Sequence, residues 1–152
     1  PATATVVADI TDRCHTTLDY LIKERRRNYI TLLYEGDLAE VAEVMQRQIE
    51  WRNGKTKEVH YKSEMVHSLS MKLAIKEVLQ RIKDSGYRTI IVALSRLEQW
   101  EAVAKAAEEL KMTEGMVDQS AEKYFWMSYD DTSDLDLLTQ DTDVPAHAKI
   151  LR

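Results

Sequence analysis

Residues 88–94 read RTIIVAL, and Ile90, Ile91, Val92, Ala93 and Leu94 are apolar without a break. A strand with one wet face alternates polar and apolar side chains. An unbroken run therefore predicts a strand buried on both faces, central in its sheet and covered by helices on either side. The flanking sequence supplies those helices. Before the run, Met71, Ala74, Ile75, Val78, Leu79 and Ile82 recur at helical spacing opposite Lys72, Lys76, Gln80 and Lys83, predicting a helix over 69–83 that Gly86 ends. After it, Ser95 and Glu98 have the spacing of a capping box, and Leu97, Trp100, Val103, Ala104, Ala107 and Leu110 form the next apolar stripe before Gly115.

The first half repeats the alternation. Ile10, Cys14, Leu18, Leu21 and Ile22 predict a helix over 10–25, closed by Arg25, Arg26 and Arg27, whose charge complements a helix C-terminus. NYITLLY, residues 28–34, is a β-rich run ending at Gly36. Asp37 and Glu40 then make a second capping box for a helix that buries Leu38, Val41, Ala42, Met45 and Ile49 and stops near Asn53 and Gly54. TKEVHY, 56–61, is a short strand, and KSEMVHSLSMK, 62–72, is a turn into the next helix, closed by Ser68 or Ser70.

The expected fold class is α/β: a single domain over 1–129, with a mixed sheet and helices on both faces. The total of 152 residues suits one substantial core, and the scarcity of Gly (4) and Pro (2) excludes a low-complexity chain. GMV and EKYFWMSY, on either side of DQSA, form a terminal hairpin in this reading, whose aromatic second strand lies at a sheet edge. From residue 130 the composition changes to DDTSDLDLLTQDTDVPAHAKILR, an acidic tail or arm over 130–152.

A net charge of −5 disfavours a protein devoted to gripping nucleic acid, which needs a basic surface, and leaves Lys23 with Arg25–Arg27 as the weakest of three readings. The sole cysteine, Cys14, excludes an intramolecular disulfide and a thiolate metal cage, and its place on an apolar stripe makes it a core thiol. His60, Glu64 and His67 do not have a zinc spacing and read as surface residues. No apolar run approaches the roughly 20 residues of a membrane span, and PATATVVADITD has no signal-peptide pattern, so the expected location is cytoplasmic, away from any membrane.

The order helix, GYRTIIVAL, capped helix, ELKMTEG, aromatic strand over about 70–129 resembles the second half of a GNAT-type N-acyltransferase. The resemblance implies an acyltransferase-like fold, acetyl coenzyme A as cofactor, and a glycine-containing turn whose backbone N–H groups hold the pyrophosphate at a helix N-terminus. Here Val66, Leu69 and Met71 occupy the three signature positions of that turn, and Trp100, Ala107, Lys111 and Met112 those of the family's later Asn, Tyr and Gly-Phe. Glu58 or Glu64 would supply the general base.

With no catalytic constellation intact, the expectation is a non-catalytic partner-binding or assembly protein, without a cofactor or metal, acting on a protein partner or as a homo-oligomer. The residues expected to carry it are Tyr124 and Trp126 of the aromatic strand with Asp130, Asp131, Asp134, Asp136 and Leu137 of the arm. The alternative is an acetyl-coenzyme-A-dependent N-acyltransferase.

Overall fold

The computed structural model describes residues 2–55, 58–67, 72–113 and 124–129, with side chains from residue 9 and, in the third helix, from residue 74. Helix α1 (Ala2–Asp19) runs into a π-helical turn at Tyr20–Glu24 and then β1 (Tyr29–Glu35). A single 3-10 turn, Gly36–Leu38, leads to α2 (Ala39–Asn53), followed by β2 (His60–Val66), α3 (Lys72–Ser85), β3 (Thr89–Ala93), α4 (Leu97–Glu109) and β4 (Phe125–Ser128). The strands lie in the order β2-β1-β3-β4, and all three pairings are parallel.

The α/β class and the two helical layers are those the sequence predicts. In a parallel pair, register partners point to the same face, so Ile30 and Leu32 of β1 share one face with Ile91 and Ala93 of β3. Cys14 and Leu18 of α1, Leu21 of the π-helical turn, and Val41, Ala42, Met45 and Ile49 of α2 close that face. On the other face Leu33, Val66, Ile90, Val92 and Trp126 pack against Ile75, Val78, Leu79 and Ile82 of α3 and Trp100, Val103, Ala104 and Ala107 of α4. Every residue of β3 is buried, as the RTIIVAL run requires. Each such aliphatic side chain contributes roughly 1.5–3 kcal/mol by leaving water.

Several expectations are corrected. The sheet is parallel rather than mixed among the described strands: the aromatic strand joins β3 after the α4 crossover, which returns the chain to the edge where β3 began, and GMV lies outside the described residues. The second strand starts at His60 and runs to Val66, so KSEMV is strand and not turn; Lys62, Ser63 and Met65 are exposed because β2 is an edge strand, and exposure hides the period-2 signal. Ser68 and Ser70 lie outside the described residues. Neither capping box forms. Leu38 precedes α2 and Arg96 precedes α4, both without a side-chain cap, and Leu97 and Ala74, placed on apolar stripes by spacing, are exposed. Gly86 does end α3, at φ +81, a conformation that a side chain would strain.

Candidate functional site

β1 and β3 are neighbours in the middle of the sheet, and the chain leaves their carboxyl ends in opposite directions. From β1 it passes through Gly36 to α2 on one face, and from β3 through Ser95 to α4 on the other. Loops that part in this way open a crevice at the carboxyl edge, the place where doubly wound parallel sheets bind ligands.

The carboxyl edge between β1 and β3 is built on a buried acid. Glu35, the last residue of β1, is fully buried, and its carboxylate accepts the Ser95 backbone N–H at 3.1 Å and the Ser95 hydroxyl at 2.7 and 2.9 Å. This hydroxyl therefore does not cap α4; it fastens the exit of β3 to the exit of β1. Trp100 adds a second tie, donating its indole N–H to the Leu94 carbonyl at 3.1 Å. Gln99, only 4% exposed, donates its amide N–H to the His67 carbonyl at 2.9 Å and so bridges α4 to the exit of β2. Its amide oxygen is buried without a hydrogen-bond partner. An acceptor left in that state costs roughly 1–3 kcal/mol.

The rim combines both kinds of contact that a binding edge needs. Asp37, His67, Ser95, Arg96 and Glu98 are exposed around it. Met65 at 41% and Leu97 at 56% exposure are two of the four large apolar side chains exposed among the described residues, with Tyr29 and Trp51. Met65 lies over Gly36, its sulfur 3.6 Å from where a Cβ would stand. A second concavity, about 420 Å³, lies between α1 and α2 and is lined by Thr11, His15, Val44, Arg47, Gln48 and Trp51, on the outer surface of one helical layer.

The aromatic residues expected to bind a partner are elsewhere and inward. Trp126 is buried, with its indole N–H donated to the Met112 carbonyl at 2.7 Å, and Tyr124 is buried with its hydroxyl accepting from Arg88 at 2.6 Å. Strand alternation selects this half of YFWM for the core, leaving Phe125 and Met127 half-buried on the other face. Asp130, Asp131, Asp134, Asp136 and Leu137 lie outside the described residues.

Of the positions that the acyltransferase resemblance singles out, Val66 closes β2 and is buried, while Leu69 and Met71 lie outside the described residues. Trp100, Ala107 and Met112 are core, and Lys111 is exposed in a left-handed turn at φ +60. Glu64 is held by Arg81 at 3.1 and 3.2 Å, and Glu58 is exposed. Burial pushes the Cys14 thiol up to about 12, so it is no nucleophile at neutral pH. His60 stacks on Tyr29 with ring centroids 4.3 Å apart. No group of three or more His, Cys, Asp or Glu side chains suited to a metal exists among the described residues, and no described helix is long and apolar enough to cross a membrane.

Glu35, Ser95 and Gln99 were not singled out as a binding set by sequence, because their association spans 60 residues of chain. The available signal was an acid ending the β-rich NYITLLY run directly before Gly36. No known family model matches the chain, and comparison with curated proteins finds no similar sequence.

Proposed function

We propose that this chain is a non-catalytic binding module that recognises its ligand or partner at the carboxyl edge of the sheet, between the exits of β1 and β3. The observation that carries this reading is the Glu35–Ser95 tie at the point where the chain departs to opposite faces, with the unpartnered Gln99 oxygen beside it. The arrangement holds two loops rigidly apart and presents polar groups and two exposed apolar side chains, which is the make-up of a recognition site. Its one hydroxyl beside a carboxylate, that of Ser95 on Glu35, serves as a tie between the two strand exits, which supports binding rather than turnover.

The test is a heteronuclear NMR screen of small polar metabolites against the full chain. Binders should shift the amides of residues 35–38, 65–67 and 95–99, and Gln99→Leu should weaken them about tenfold, the loss of one well-placed hydrogen bond. Binders that shift only residues elsewhere would sink the proposal. Acetyl coenzyme A at millimolar concentration belongs in the same screen, because the acyltransferase alternative requires it to bind.

A further inference from the structure

We propose that the outer edge of β2 pairs antiparallel with the same edge of a second copy of this chain, about a two-fold axis through Ser63, so that one sheet runs across both copies. The proposal stands on observations independent of the carboxyl-edge site.

β2 is an edge strand, with β1 on one side and no described strand on the other. Its seven residues, His60–Val66, span about 23 Å at strand rise. In a parallel ladder the N–H and C=O of one residue point to one side of the strand and those of its neighbours to the other. The His60 N–H donates to the Asn28 carbonyl at 2.8 Å, so His60, Lys62, Glu64 and Val66 bond to β1, while Tyr61, Ser63 and Met65 turn their backbone groups outward. Lys62, Ser63 and Met65 are exposed, which leaves the edge accessible. Such an edge is a template for another strand.

The side chains select the partner and the register. A two-fold axis normal to the sheet keeps every side chain on its own face, so the axis passes through a residue and not between two. Three such axes pair most of the strand. An axis at Lys62 sets Lys62 against itself, and one at Glu64 sets Glu64 against itself, each a like-charge pair that costs stability. An axis at Ser63 instead sets Lys62 against Glu64 and Tyr61 against Met65, on either side of a Ser63 that faces its own counterpart. The outward backbone groups of Tyr61, Ser63 and Met65 then meet those of the second copy as hydrogen-bonded pairs.

Both charges can serve this pairing. Arg81 binds Glu64 through Oε2, at 3.1 and 3.2 Å, which leaves Oε1 for a second cation. The Lys62 ammonium lies 5.0 Å from the centroid of the Tyr87 ring, a contact that leaves its N–H groups to an acceptor. A peptide of unrelated sequence fits the edge less well, because a second copy brings a glutamate to each lysine by symmetry.

The test is sedimentation equilibrium of the full chain up to about 1 mM, which should show a monomer and dimer in exchange. Lys62→Glu should weaken the dimer about tenfold, since it places like charges opposite each other. Ser63→Pro should abolish it and leave the monomer folded, because the Ser63 N–H takes no part in the β1 ladder. Ser63→Cys should oxidise readily to a linked dimer, the facing residues of a hydrogen-bonded pair lying about 5.5 Å apart. Met65→Cys should cross-link at least about tenfold more slowly, because Met65 faces Tyr61 and the two Met65 positions are about 14 Å apart along the strands. Cys14 is buried and does not compete. A chain that stays monomeric at about 1 mM overturns the proposal. So does a dimer that Lys62→Glu leaves unweakened, or equal cross-linking of the two cysteine variants. Slow hydrogen exchange at the Ser63 N–H in the dilute monomer would assign the edge to another segment of the same chain and overturn it equally.

Discussion

At the carboxyl edge of the sheet an acidic side chain has been taken inside: Glu35 is fully buried and is held by the hydroxyl and N–H of Ser95. At the amino edge the charges stay outside, where Arg25 and Arg27 lie across Phe125 and Arg88 across Tyr124. A buried acid whose donors come from one neighbouring loop fixes that loop, since displacing it would strand the acid in a medium of low dielectric. A cation lying on a ring fixes less, because the contact is worth only about 0.5–1 kcal/mol where water reaches the cation. One edge is therefore expected to trade on rigidity, the other on accessible charge.

The comparison can be broken first at the strand that carries the amino-edge rings. Trp126→Ala removes a buried indole and its bond to the Met112 carbonyl, and should cost about 3–5 kcal/mol in chemical denaturation. A loss below about 1 kcal/mol would mean that β4 is not anchored as described. Glu35→Ala should cost about 1–3 kcal/mol, because the Ser95 N–H loses its acceptor, and hydrogen exchange at Ser95 should accelerate. If Arg25→Gln proved as damaging as Glu35→Ala, the contrast between the edges would fail.

The amino end also contains an ion pair between Asp19 and the buried Arg52, and it sharpens the contrast through pH. Burial pushes the Asp19 carboxyl up, but the hydrogen bond and charge of Arg52, with His15 and Lys23 nearby, outweigh it and hold the acid below its usual range. Its folded value lies below its unfolded value. The stabilisation is therefore present above the unfolded value of about 3.9 and is lost as pH falls through the depressed folded value. Asp19→Asn should flatten acid denaturation in that window. The effect should be small, about 0.2–1 kcal/mol, because the pair is partly open to solvent. Arg25→Gln should cost about 0.5–1 kcal/mol, the range of an exposed cation–π contact. Leu97→Ser should change thermal stability least, by less than about 0.5 kcal/mol, while weakening whatever binds the carboxyl edge.

How far the fold was legible depended on whether burial wrote a period into the chain. β3 was, because all five of its residues are buried, and α2 was, because Val41, Ala42, Met45 and Ile49 keep one face. β2 was misplaced because an edge strand carries Lys62, Ser63 and Met65 in the open, with no alternation to read. That β4 pairs in parallel with β3 was not legible for a different reason: its residues suit either direction, and only the path from α4 selects one. At the candidate site Ser95 had the right spacing to Glu98 for a cap, yet a carboxylate 60 residues away binds it. Local spacing cannot rank partners that the fold brings from a distance.

The amino-acid sequence by itself determined the alternation of helices and strands, the burial of RTIIVAL on both faces and the concentration of aspartate after Tyr129, all of which follow from solvation and periodicity within a few residues. Tertiary structure alone decided that the described strands run parallel, that Trp126 faces the core and Phe125 the arginines, and that Glu35 meets Ser95 at the crevice. Those outcomes turn on which surfaces are covered once the sheet assembles, and a pairing energy across 60 residues leaves no mark on the neighbours of either partner.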